Sequence, residues 1–195
     1  MAIQNFNVSE RQIFRGNILL IVCCAFYLAW WLLAFKPTGA IKGMKTGWLL
    51  IPAFAAGLAA IILAVKGIQS ASVGAILFPS GLLFWGAVAA YLILLAVTRL
   101  FFHRQVTTEL FLIVGWVGLA LSEINVLYGM GRFSHGLSVV FAVVIGVAAL
   151  ISLVCYVLYY NLRDRTGYFD GMIPLFMVAL VMAGISVAMA VYGTV

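Results

Sequence analysis

Of the five acidic residues in this 195-residue chain, Glu123 alone falls well inside a long apolar run, in the tetrapeptide Ser122-Glu123-Ile124-Asn125. A charged side chain at the centre of a bilayer costs about 2.5–3.5 kcal/mol on insertion scales, so such a carboxyl is expected to turn inward, find a partner or stay protonated. Two readings follow. In one, Glu123, Asn125 and Ser122 form a polar intramembrane site for a small solute or ion. In the other, Glu123 is a structural hydrogen-bonding group between helices, or reaches the interface to pair with Arg132. At about 100° per residue, Gly115, Gly118, Ser122, Asn125 and Gly129 line one stripe of their helix, a small and polar face suited to close helix packing. Glu123 lies some 100° around from it, on the side of Trp116 and Leu112, so two faces of this helix are expected to be buried.

A second feature is Phe78-Pro79-Ser80-Gly81, where proline removes a backbone donor and glycine loosens the turn. Pro79, Ser80 and Gly81 therefore mark either a broken helix, of the kind that lines transporter cavities, or a helix that simply begins at the proline after a short interfacial stretch.

Other chemistry is thin. No HExxH motif, paired-carboxylate site or phosphate loop occurs. Phe78 stands where a Gly-x-Ser-Gly protease motif needs its first glycine, and no histidine lies in a later span. His103 and His135 fall in connections on opposite faces of the membrane. Cys23, Cys24 and Cys155 sit in apolar runs, where a thiol behaves as a small hydrophobe. No catalytic residue, metal site or cofactor is assigned, and an enzyme is the disfavoured class.

The elements that must position these residues are helices in lipid. The chain is 66% apolar and 8% charged, against roughly half and a quarter in soluble domains, so lipid must cover most of its exterior. Six runs reach the roughly 20 residues that span about 30 Å of hydrocarbon. They cover residues 14–35, 47–65, 73–100, 108–128, 136–160 and 172–193, and predict an all-α membrane protein, a single polytopic bundle of six transmembrane helices over residues 1–195. The first run is long enough to stay in the membrane rather than act as a cleaved leader. Short connections, such as Lys36-Pro37-Thr38-Gly39, Gly129-Met130-Gly131 and Arg163 to Gly171, make successive helices antiparallel neighbours and leave no room for a soluble domain between spans.

Ser9-x-x-Gln12 fits a capping box for the first helix, with Phe6, Ile13 and Phe14 against headgroups and Glu10, Arg11 and Arg15 in water; a frayed terminus fits equally. Ala53, Gly57, Ala60 and Ala64 give the second helix a face for tight packing. Tyr27, Trp30, Trp31 and Trp48, with Tyr156, Tyr159, Tyr160 and Tyr168, read as aromatic belts.

The net charge of +6 does not point to nucleic acid, because the basic residues are scattered through connections. Lys36, Lys42, Lys45, Arg99, Arg104, Arg163 and Arg165 flank one side, and Arg11, Arg15, Lys66 and Arg132 the other. The bias places both termini outside a plasma (cytoplasmic) membrane. Arg11-Gln12-Ile13 before the first span and Arg104-Gln105-Val106 before the fourth, with Pro79 and Pro174 early in the third and sixth, admit a 3+3 inverted repeat. The expected function is a small-solute channel or secondary transporter with a polar site around the fourth helix. The alternative is a non-transporting scaffold, assembly factor or subunit of a membrane complex. The expected partners are the lipid bilayer and a small molecule or ion, with a homo-oligomer compatible.

Overall fold

The computed structural model describes residues 6–34, 46–102, 108–161 and 165–192. The Lys36-Pro37-Thr38-Gly39 turn, Lys42, Lys45, His103, Arg104, Gln105, Val106, Arg163 and Gly193 lie outside the described residues. Within them the chain forms six helices long and apolar enough to cross a bilayer: α1 (Val8–Ala34), α2 (Leu50–Ser70), α3 (Ser80–Phe102), α4 (Thr108–Gly129), α5 (His135–Asn161) and α6 (Arg165–Tyr192). A 3-10 turn, Thr46–Leu49, leads into α2. In lipid the backbone must satisfy its own amides, and the helix does so within each segment. The protein is an all-α six-helix membrane bundle.

The first helix starts earlier than hydropathy places it. Its capping box is Asn7-x-x-Glu10 and not Ser9-x-x-Gln12: the Glu10 amide donates to Asn7 Oδ1 at 2.8 Å and the Asn7 amide donates to Glu10 Oε2 at 2.8 Å. Ser9 is drawn away to α2, its hydroxyl 3.0 Å from that of Ser70, which also donates to Gln12 Oε1 at 3.4 Å. Arg11 and Arg15 are exposed, but Glu10, Phe6 and Ile13 are buried within the bundle rather than at the headgroups.

Helices α1 and α2 lie close because small residues remove the side chains that would separate them. A Cβ at Gly16 would sit 3.0 Å from the Ala60 carbonyl oxygen and the Ala64 amide, and one at Gly67 2.8 Å from the Ser9 carbonyl oxygen. Ala53, Ala60, Ala64 and Gly67 are accordingly buried, on the α2 face the sequence marks as small. The main core runs between α4, α5 and α6 and reaches α1: Ile124, Leu127, Ile145, Met182, Ile185 and Met189 join Ile13 and Cys24 in one cluster.

Helix α3 is peripheral. It packs on α4, with Tyr91 edge-on to Phe111 at 6.0 Å, and turns Leu82, Phe84, Trp85, Leu92, Ile93 and Leu100 outward. In a bilayer such a face meets lipid tails as apolar as itself. Of the two expected accounts of Pro79-Ser80-Gly81, the structure takes the helix start: residues 71–79 are non-helical, and the Pro79 carbonyl accepts from the Leu82 and Leu83 amides at 2.9 and 3.2 Å.

Helix α6 begins at Arg165, so residues 165–171 of the expected Arg163 to Gly171 connection are helical, while Arg163 lies outside the described residues. Polar residues are compatible with helix in the wet interface, where hydropathy no longer reports helix length. Pro174 lies inside α6, whereas Pro79 precedes α3, so the two prolines hold different places in their helices. Gly171 admits Trp31, whose indole Nε1 donates to the Tyr168 carbonyl at 3.2 Å and whose ring lies 5.6 Å from that of Tyr159. Trp31 is thus buried in the bundle, while Trp48 is exposed as a belt residue should be.

Candidate functional site

Helix α4 carries its polar residues on two faces. On the first, Gly118 faces Ala87 of α3, and Asn125 and Gly129 receive the non-helical segment 71–79 that precedes it. That segment has no helix to satisfy its backbone, and Asn125 substitutes for one. Its Oδ1 accepts from the Leu77 and Phe78 amides at 2.7 and 2.9 Å, and its Nδ2 donates to the Phe78 carbonyl at 2.9 Å. The Gly74 amide donates to the Gly129 carbonyl at 3.1 Å. A side chain at Gly129 would overlap Val73 and the Ala75 carbonyl, which explains glycine at this closest approach. Ser122 donates back to the Gly118 carbonyl at 2.7 Å, on its own helix.

The second face holds Glu123, which is 0% exposed. Neither of its oxygens has a hydrogen-bond partner among the described residues, and the same holds for the Nδ2 of Asn17 and the Nε1 of Trp116. Asn17 of α1, itself buried, is the side chain that approaches the carboxyl as a potential donor, although no pair of atoms between them reaches hydrogen-bond geometry. Three buried serine hydroxyls are satisfied locally: Ser138, Ser152 and Ser186 each donate to a carbonyl one turn back, at 3.0, 2.7 and 2.8 Å. Trp116 is buried on the Glu123 side as the helical phase implies, but Leu112 is turned outward.

The structure therefore does not gather Glu123, Asn125 and Ser122 into one site. Asn125 is committed to the backbone of residues 77–78, Ser122 to α4 itself, and Glu123 faces α1. Its neighbour there, Asn17, was not singled out in the sequence; the available signal was an amide within the first apolar run, where a polar side chain needs an inward partner.

Arg132 does not pair with Glu123 either. Gly131, at φ 75°, ends α4 in a Schellman turn, with the Arg132 amide donating to the Leu127 carbonyl at 2.9 Å and the Gly131 amide to that of Tyr128 at 2.9 Å. This turn aims Arg132 at the start of α1. Its Nη2 donates to Glu10 Oε2 at 2.9 Å, its Nε donates to Glu10 Oε1, and its guanidinium carbon lies 5.5 Å from the Phe6 ring centroid. The adjacent carboxylate raises the Arg132 pKa above its ordinary value.

Among the described residues, no three His, Cys, Asp or Glu side chains come together as a metal site would require. Fold and composition together define a multi-pass integral membrane protein. Comparison with known proteins finds no matching family, no matching curated protein and no matching solved structure.

Proposed function

We propose that this protein is a small-solute channel or secondary carrier whose polar site lies between α1 and α4 and is built on Glu123 and Asn17. The observation that carries the reading is the state of Glu123, wholly buried with neither oxygen hydrogen-bonded among the described residues. A carboxyl serving only to join helices is expected to be hydrogen-bonded, because an unsatisfied buried polar group costs about 1–3 kcal/mol or more. A group retained at such a cost fits a site that a ligand completes. Ser122 and Asn125 then act as supports, holding α4 and the start of α3 in place. The seven-to-four asymmetry of basic residues supports a plasma-membrane orientation with both termini outside.

The test is a thermal-stability screen of the purified protein against ions and small metabolites at two pH values, with Glu123→Gln alongside. A ligand of the folded state raises the melting temperature saturably. The expected result is a compound that stabilises the native protein, fails to stabilise a folded Glu123→Gln, and crosses liposomes containing only the former. If Glu123→Gln transports that compound as well as the native protein, the site is elsewhere. If no compound shifts the native protein, the scaffold or complex-subunit role takes precedence.

A further inference from the structure

Helix α1 meets α4 and its turn at two levels, where Glu10 is gripped by Arg132 and where Asn17 approaches Glu123, so the two helices run antiparallel. On α1, Glu10, Ile13 and Asn17 are buried; on α4 and its turn, read backward, Met130 is half-buried and Leu127 and Glu123 are buried. Both series use steps of three and four, which keep one helix face, and the two ends are tied at the same level: Asn7 Nδ2 approaches Met130 Sδ at 3.8 Å, and Arg132 grips Glu10. Seven residues separate Glu10 from Asn17, about 10 Å along the helix. Ile13 lies between those two positions on α1 and Leu127 between Glu123 and Arg132; both are 0% exposed and belong to one core cluster with Phe6, edge-on to Phe14 at 5.5 Å, and Phe133, stacked on Phe141 at 5.6 Å.

We infer that Glu10 and Arg132 form the gate through which the Glu123 and Asn17 site opens to water, at the end of the bundle where α1 begins; the inference rests on the solute-site reading above. The ion pair is the outer layer, and Ile13 with Leu127 is the apolar plug beneath it. Several features suit this pair to a moving part. It is a charged link between the first turn of α1 and the turn joining α4 to α5, beside the weaker contact of Asn7 with Met130, so breaking it loosens one from the other without unwinding either helix. Glu10 Oε2 also accepts from the Asn7 amide, so the same carboxylate fixes the end of α1 and closes the gap. The turn opposite is anchored by Gly131, a residue at positive φ next to Arg132. A solute entering here would meet a carboxylate and a guanidinium already neutralising each other, and exchange of that pair for water would uncover the plug.

The gate is tested in full-length Leu127→Cys protein in lipid nanodiscs, using a membrane-impermeant thiol reagent and locating the label by peptide mass spectrometry. With the pair intact, position 127 labels slowly. Adding Glu10→Gln should raise its labelling rate about tenfold, the effect of a shift in open population worth one such interaction, while Cys155 on α5 keeps its own rate. Arg132→Gln, which breaks the pair and leaves the Glu10 carboxylate on the Asn7 amide, should raise the rate at position 127 likewise with Cys155 unchanged, which separates a gate from a loosened start of α1. An unchanged rate in Glu10→Gln overturns the gate. So does a parallel rise at Cys155, or an unchanged rate at position 127 in Arg132→Gln. Failure of the solute-site reading shows differently, as solute flux that Glu123→Gln leaves intact.

Discussion

The two faces of α4 treat buried polarity in opposite ways. Asn125 and Glu123 are two residues apart, about 200° around the helix, and both are buried in the membrane bundle. Asn125 makes three hydrogen bonds to residues 77–78, and through them lays a non-helical segment against α4. Glu123 makes none among the described residues. The difference teaches that polarity inside a bilayer has two distinct uses. Where the backbone leaves its helix, a side chain must replace the missing partners, because no water is at hand. Where every backbone group is already satisfied, as along α4 at Glu123, the fold does not call on the carboxyl to replace a missing backbone partner.

The contrast yields unequal costs for substitution. The largest effect is expected at Gly129→Val, whose side chain has no room beside Val73 and the Ala75 carbonyl. Displacing residues 73–75 should destabilise the protein by about 3 kcal/mol or more, beyond ordinary overpacking, and should appear as a sharply lowered melting temperature in detergent. A Gly129→Val protein that melts with the native one would mean that the segment is not held on α4. Next comes Asn125→Ala, which strands two amides and a carbonyl at once; about 2–4 kcal/mol is expected, with the amides of Leu77 and Phe78 losing protection from hydrogen exchange. The smallest effect on stability is expected at Glu123→Leu. Replacing an unsatisfied carboxyl by an apolar group of similar volume should change stability by less than about 1 kcal/mol, or increase it, while abolishing solute binding. If Glu123→Leu destabilises as much as Asn125→Ala, the two faces are alike and Glu123 is a structural group.

Legibility in the sequence followed the range of the interaction concerned. The stripe Gly118, Ser122, Asn125 and Gly129 was visible from helical phase, and it does receive another part of the chain. Phase alone assigns a face but not its occupant, and the occupant is the non-helical segment before α3. Helix ends near Glu10 and Arg165 were misjudged for a related reason. Hydropathy measures what hydrocarbon requires, whereas α1 and α6 continue into the interface, one under a local capping box and the other through polar, helix-compatible residues. Arg132 was expected in a connection and does follow α4 in the turn before α5, but its partner lies 122 residues away in sequence and was not readable from spacing.

By itself the sequence determined that this chain lives in lipid as six helices, that α2 has a face for close approach, and that Glu123 is the acidic residue set apart within a span. Those properties follow from composition and local periodicity, which every helix carries before it meets another. Only the tertiary structure decided that Glu123 faces Asn17, that Asn125 is occupied by the backbone of residues 77–78, and that Glu10 closes on Arg132. Each of these depends on the register of two helices distant in sequence, and register is set when small residues and turns bring those helices together.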